Sequence, residues 1–206
     1  MTKIKICGLM TKEHVNHTVA AGADAIGFVF AASKRQINIE TAQQLAKDIP
    51  SSILKVGVFV NESVENMIHI AKTVPLDMIQ LHGDESSQVI EALPFPTIKA
   101  FSVRSKKDVE KASTCTSEYL LFDAPGTDFK GGSGNQFDWS LLDDLHIDRQ
   151  RVILAGGLNS SNIAQAINQV APAIIDVSSG VETAGVKDPQ KITALLNLLR
   201  SGACTK

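Results

Sequence analysis

The chain has 206 residues, 44% of them hydrophobic and 20% charged, enough apolar material for the core of a globular enzyme. Twenty basic residues against 22 acidic ones leave a formal charge of −2, with no basic excess that would suit nucleic acid. Cys7, Cys115 and Cys204 are odd in number, far apart and without a C-x-x-C pair, so a disulfide framework and a structural zinc site are both disfavoured and a reducing cytoplasm is expected. The opening Met1–Ile6 has no apolar signal core, and no apolar stretch reaches 18 residues, so no membrane partner is expected.

Strand-like and helix-like segments alternate along the chain. Strands are predicted at about 3–7, 25–30, 54–60, 77–81, 97–101, 118–123, 151–155 and 173–177, each rich in Ile, Val, Leu or Phe. Their apolar runs are mostly uniform, the pattern of parallel strands buried on both faces. Between them, Val15 and Val19 lie four apart, and Ala42, Leu45, Ala46 and Ile49 form a one-sided stripe. So do Val64, Met67, Ile68 and Ala71. A helix is predicted to start near Trp139. The last helix opens on Asp188-Pro189, a capping residue followed by proline at the first helical position, and buries Ile192, Leu195, Leu196 and Leu199. A faint repeat runs through residues 20–28, 73–81 and 169–177, each passing from a helix end through a small turn into a strand. Eight such units predict one (β/α)8 barrel over residues 1–206; a doubly wound open sheet is the alternative.

In such a barrel, chemistry sits at the C-terminal ends of the strands. Gly156 and Gly157 follow strand 7, and Ser178, Ser179 and Gly180 follow strand 8. Paired loops at these two positions are where barrels hold phosphate, through backbone N–H groups that glycine lets a ligand approach. The long segment 124–138, with Gly126, Gly131, Gly132 and Gly134, reads as a rim loop. Cys7 ends strand 1 and Asp123 ends strand 6, so they are expected to face each other across the mouth, as thiolate base and carboxylic acid. A free thiol ionises near ~8.5, so the base role asks for a lowered pKa, from nearby cations or loop N–H groups. The acid role asks for burial against the rim loop. Alone, a cysteine at a strand end is better read as a small buried hydrophobe than as a catalyst, and Cys115 and Cys204 are read so. Arg35 and Lys34 follow strand 2, Asn61 strand 3 and His82 strand 4, while Asp176 lies near the end of strand 8. His82 suits a loop-orienting hydrogen bond, Asp176 can accept loop N–H groups, and Lys34 suits a surface ion pair. His14 and His17 lack a third metal ligand, and Trp139 suits packing of the rim loop on the barrel.

These residues resemble the phosphoribosylanthranilate isomerases of tryptophan biosynthesis over nearly the whole chain. The resemblance rests on Lys5-Ile6-Cys7-Gly8, Gly27-Phe28-Val29-Phe30, Ser33-Lys34-Arg35, Gly57-Val58-Phe59-Val60-Asn61 and Gln80-Leu81-His82-Gly83. It continues in Gly131-Gly132-Ser133-Gly134, Phe137-Asp138-Trp139, Gly156-Gly157-Leu158 and the run from Asp176 to Glu182. It implies an Amadori rearrangement of a phosphosugar carrying anthranilate, with Cys7 as general base and Asp123 as general acid. It also implies Arg35 near the anthranilate carboxylate and the two C-terminal loops on the sugar phosphate. His82 and Asp176 are candidate substrate contacts. No cofactor or metal is implied, and a monomer or a homodimer is equally compatible. Gln36 departs from the family, in which an aromatic residue often follows the loop arginine. Two rivals are an aminoaldose isomerase of histidine biosynthesis, whose strand-1 base is an aspartate, and a phosphosugar-binding barrel without turnover.

Overall fold

The computed structural model describes residues 2–125, 136–143 and 147–201. Eight parallel strands close on themselves: β1 (Lys3–Cys7), β2 (Ala25–Val29), β3 (Leu54–Phe59), β4 (Met78–Leu81), β5 (Thr97–Ser102), β6 (Tyr119–Asp123), β7 (Val152–Leu154) and β8 (Ile174–Val177). Each pairs with the next, and β8 returns to β1 with Lys5 opposite Asp176. The open doubly wound alternative is thereby excluded. Seven α-helices lie among the described residues: α1 (Lys12–Ala20), α2 (Ile39–Ala46), α3 (Val64–Thr73), α4 (Ser87–Ala92), α5 (Lys106–Ala112), α6 (Ile163–Val170) and α7 (Pro189–Arg200).

The uniform apolar strands conceal a two-residue alternation with both faces buried. Inward positions form a cluster drawn from the strands and their ends, including Ala25, Val56, Met78, Ile98, Leu121, Ile153 and Ile174. The intervening positions, among them Ile4, Ile6, Phe28, Leu81, Phe122 and Ile175, join helix residues such as Ala42, Met67, Ile163 and Leu196 in the larger outer core. At the inward positions nearer the C-terminal ends the pattern turns polar: Lys5 and Cys7, Gln80, Asp123 and Asp176, all buried. Period two assigns each to the interior, because Ala25, Met78, Leu121 and Ile174 fix the phase of their strands.

Helix boundaries follow local chemistry. Asp188 accepts from the N–H groups of Gln190 and Lys191, with Pro189 first in α7, as predicted. Thr11, Asn38 and Ser63 cap α1, α2 and α3 in the same way. Two expectations are corrected. Helix α2 ends at Ala46, so Ile49 is buried from the turn beyond it rather than from the helical stripe. Trp139 opens a short 3₁₀ turn, Trp139–Leu142, rather than an α-helix, with Asp138 capping the N–H of Ser140. Trp139 is buried in the outer core, as a packing residue would be. After β8, a 3₁₀ turn (Ser179–Val181) leads into a small antiparallel ribbon, β9 (Glu182–Thr183) and β10 (Val186–Lys187). Among the described residues no helix is long and apolar enough to cross a membrane.

Candidate active site at the barrel mouth

Cys7 occupies the last inward position of β1, and its register partner on β2 is Gly27. A side chain at Gly27 would begin 2.7 Å from the Cys7 sulfur and 3.2 Å from Lys5 Cε. Glycine therefore makes the space in which thiol and lysine stem lie together. Lys5 is 1% exposed, and its Nζ donates to Asp176 Oδ2 at 2.9 Å. Burial alone would lower the lysine pKa, but the charges of Asp176 and Cys7 lift it above its ordinary value. The thiol is not lowered as the base role asks: burial pushes Cys7 up, while the cations Lys5 and Lys187 pull it down and Asp176 opposes them. Asp176 was expected to serve loop N–H groups. Its buried Oδ2 instead takes the Lys5 ammonium, and Oδ1 has no protein partner among the described residues.

Asp123 is the last residue of β6, which stands three strands from β1 around the ring, by way of β8 and β7. Its Oδ2 lies 3.3 Å from His82 Nε2, with the two side chains 6% and 11% exposed. Gln80 Nε2, donating, is 2.9 Å from His82 Nδ1, which sets the ring proton on Nε2, toward Asp123. The histidine ring thus lies between Gln80 and the Asp123 carboxyl, while its backbone N–H donates to Phe59 O at 2.8 Å. The loop after β4 is braced separately. Lys99 donates to Gly83 O and Glu85 Oε2, and Glu85 accepts from the N–H groups of Gly83 and Asn61. The hydrogen bonds to Glu85 outweigh its burial and hold its carboxyl below the usual range.

Arg35 is buried, and its Nε and Nη2 donate to the two oxygens of Glu182 at 2.7 and 3.0 Å, a bidentate pair across 147 residues. Lys187 on β10 donates to Glu182 Oε1 at 2.7 Å and to Ser178 O and Oγ at 2.9 and 3.2 Å. Ser178 Oγ in turn donates to Cys7 O at 3.0 Å. Burial raises the Glu182 carboxyl, but the hydrogen bonds of Arg35 and Lys187 more than reverse this and leave it low. Burial lowers Lys187 despite Glu182. Lys34 is the expected surface partner, 60% exposed and 3.8 Å from Glu182. Gln36 Nε2 donates to Phe30 O, closing the loop after β2 onto its own strand.

The two glycine-bearing loops meet at the mouth. Gly156 and Gly157 take φ values of +84° and +64°, and the Gly157 carbonyl accepts from the side chains of Asn159 and Asn162. A Cβ at Gly180 would collide with the carbonyl oxygen of Leu158, so only glycine lets the loops touch. The Gly157, Ser179 and Gly180 N–H groups have no hydrogen-bond partner among the described residues. The Ser178 hydroxyl, by contrast, is engaged by Cys7 and Lys187. The four rim glycines Gly126, Gly131, Gly132 and Gly134, and also Cys204, lie outside the described residues. Cys115 is half-buried against the outer core. His17 Nε2 lies 2.7 Å from Thr193 Oγ1, and among the described residues no group of three His, Cys, Asp or Glu side chains is placed to hold a metal ion.

Sequence reasoning missed Lys5, Gln80, Glu182 and Lys187. Lys5 could have been found from its place two residues before Cys7 on one strand face, a charge inside an apolar run.

A closed barrel that gathers its buried polar side chains at the C-terminal ends of its strands belongs with the (β/α)8-barrel enzymes. The family model for N-(5'phosphoribosyl)anthranilate (PRA) isomerase matches residues 4–198. The chain is 48% identical over 205 residues to the N-(5'-phosphoribosyl)anthranilate isomerase of Bacillus mycoides, covering 99% of this chain and 100% of that one. Crystal structures agree. Phosphoribosyl anthranilate isomerase from Thermotoga maritima superposes with a TM-score of 0.89 at 36% identity, covering 98% of this chain and 100% of that one. A phosphoribosyl anthranilate isomerase in complex with reduced 1-(o-carboxyphenylamino)-1-deoxyribulose 5-phosphate superposes with a TM-score of 0.86 at 36% identity and the same coverage. The chain belongs to the N-(5'-phosphoribosyl)anthranilate isomerase family, enzymes of tryptophan biosynthesis.

Proposed function

We propose that this chain converts N-(5'-phosphoribosyl)anthranilate to 1-(2-carboxyphenylamino)-1-deoxyribulose 5-phosphate, with Cys7 as general base and Asp123 as general acid. The observation that carries this reading is the pair itself: a thiol and a carboxyl, both buried, both on inward positions at strand ends, on strands that are not neighbours. Such a pair suits proton transfer at two atoms of one substrate lying between them. Asp123 gives its proton to the furanose ring oxygen while the anthranilate nitrogen lone pair forms the C1 iminium and the C1–O bond breaks. The Cys7 thiolate then takes the proton from C2, and the C2–H electrons flow into the iminium to give the enolamine. Proton return to C1 and loss of the enol proton give the ketone. The iminium is the electron sink, so the scheme calls for no nicotinamide, pyridoxal or metal.

The His82 ring keeps the Asp123 carboxyl aimed into the mouth. The N–H groups of Gly157, Ser179 and Gly180, with those of Gly156 and Ser178 beside them, serve the phosphate. Arg35 meets the anthranilate carboxylate through Nη1, since Nε and Nη2 are held by Glu182. Asp176 Oδ1, without a protein partner, accepts a sugar hydroxyl. The whole chain works as one barrel, cytoplasmic, as monomer or homodimer, with neither nucleic acid nor membrane as partner.

The test follows anthranilate fluorescence as the substrate, generated in place, is consumed. Turnover by the unaltered chain should fall about a hundredfold or more in Cys7→Ser and in Asp123→Asn. No turnover by the unaltered chain sinks the reading and turns attention to the histidine-pathway aminoaldose. Phosphosugar binding without turnover, surviving both substitutions, supports a binding barrel instead.

A further inference from the structure

The mouth holds more charge than an acid and a base require. Around Cys7 stand three cations and two carboxylates. Lys5 comes from β1 itself, Asp176 from β8, Lys187 and Glu182 from the β9–β10 ribbon, and Arg35 from the loop after β2. On the β2 side Gly27 faces the thiol. All five charged side chains are at most 10% exposed. Lys34, mostly in water, adds to the far edge of the cluster. With Cys7 as a thiol the five buried charges sum to one positive. With Cys7 as a thiolate they sum to zero. A buried site resists unbalanced charge strongly, so this charge count tempers the penalty that burial places on the ionised sulfur.

Strand geometry places Lys5 beside the thiol. It stands two residues before Cys7 on the same strand face, and both side chains border the space above Gly27. Asp176, its register partner, fixes the ammonium from the other side at 2.9 Å.

We propose that Lys5, anchored by Asp176, is a positioning residue for the Cys7 thiolate: it holds an ammonium beside the sulfur and so offsets part of the cost of ionising the thiol in a buried site. The thiol proton leaves to solvent when the thiolate forms, and Lys5 keeps its own. This rests on Cys7 being the base, but the titration below reads the sulfur directly, whatever its role in turnover.

Burial sets the direction for Cys7, and its neighbours set how far it goes. Desolvation favours the neutral thiol and Asp176 adds to it, while Lys5 and Lys187 oppose both. Removing Lys5 takes away the larger of the two opposing cations and leaves Lys187 alone against desolvation. Removing Asp176 takes away an anion that disfavours thiolate and leaves Lys5 with sulfur as its natural partner. A merely structural ion pair predicts no such opposite movement.

The experiment is iodoacetamide alkylation of the folded chain from about pH 6 to 10, with Cys7 followed by peptide mass spectrometry so that Cys115 and Cys204 do not contribute. In Lys5→Met the titration of Cys7 should move up by about one pH unit or more, with alkylation at neutral pH roughly tenfold slower. Lys5→Arg should stay near wild type, and Asp176→Asn should move down. The acid limb of kcat/KM should move up in Lys5→Met with KM little changed. A Lys5→Met chain with native circular dichroism and an unmoved Cys7 titration overturns the proposal. If that variant does not fold, Asp176→Asn decides: a downward shift supports the charge balance and no shift refutes it. Loss of activity in Cys7→Ser together with an unmoved titration in Lys5→Met would leave Cys7 as the base and discard only the role given to Lys5.

Discussion

Replacing Glu182 by Gln removes one negative charge and almost no volume. That charge lies between two buried cations, with Arg35 at 2.7 and 3.0 Å and Lys187 at 2.7 Å. Breaking a buried pair from one side costs about 3–5 kcal/mol, because an uncompensated charge stays behind. The glutamine oxygen can still accept one hydrogen bond, which puts the expected loss near the lower end, about 3 kcal/mol. For a chain of this length that is a fall in Tm of roughly 6–12 °C. Lys34→Met is the control. Its ammonium is 60% exposed and 3.8 Å from the same carboxylate, so the loss should stay under about 0.5 kcal/mol. The pH dependence carries a sign. The hydrogen bonds from Arg35 and Lys187 hold the Glu182 carboxyl low against the upward push of burial. A lowered carboxylate contributes stability that is present above its unfolded value of about 4.3 and is lost as pH falls through the folded value. The stability gap between wild type and Glu182→Gln should be flat between about pH 8 and 5 and close below about pH 4. Urea unfolding followed by circular dichroism at several pH values measures both. A Glu182→Gln chain within about 0.5 kcal/mol of wild type at pH 7.5 would refute the idea that Arg35, Glu182 and Lys187 act as one buried unit.

Gly27→Ala should destabilise the chain by about 1–3 kcal/mol, since the new methyl meets the Cys7 sulfur at 2.7 Å and its Cα at 3.1 Å. Only the sulfur can swing away, so kcat should fall more than KM rises, which steady-state kinetics will separate. Gly180→Ala pushes against the Leu158 carbonyl and forces the two phosphate loops apart. KM for the phosphorylated substrate, and Kd for inorganic phosphate by calorimetry, should both rise about tenfold or more, with the far-UV spectrum unchanged. His82→Gln should lower kcat at least several-fold by releasing Asp123, whereas Gln80→Leu, which strips only the second contact of the ring, should do so less; equal loss in both would place the effect in the strand rather than the carboxyl.

The eight strands were legible because both faces of each are apolar and because glycine, proline and asparagine punctuate the intervals between them. Boundaries slipped by a residue or two where capping chemistry intervened. Asp77 lies just before β4, and its carboxylate accepts the N–H of Lys55, so the strand starts at Met78. Ala155 lies just past β7 but donates to Phe122 O, which is why it reads as strand. At the site, Cys7 and Asp123 were legible because they end strands. Lys5 was not sought, because a lysine inside an apolar run is easily passed over in a search of strand ends. Glu182 and Lys187 sit beyond the last barrel strand on a ribbon of two residues a side, too short to leave a periodic trace. The Arg35–Glu182 bond spans 147 residues, and no local pattern encodes a pairing at that range. The direction of the Cys7 pKa was not legible for a related reason: depth of burial is a property of the closed ring, not of the strand.

Cys7 and Lys5 lie near the beginning of this sequence, and Asp176, Ser178, Glu182 and Lys187 lie near its end. The two bonds that tie this beginning to that end, Lys5 to Asp176 and Ser178 to Cys7, each span 171 positions. During synthesis at the ribosome, the cysteine emerges long before any of them. A chain halted at β6 would carry both Cys7 and Asp123 yet lack the seam that joins the first strand to the last. Competence for turnover is therefore a late event in the life of each molecule, arriving only with the final quarter of the polypeptide.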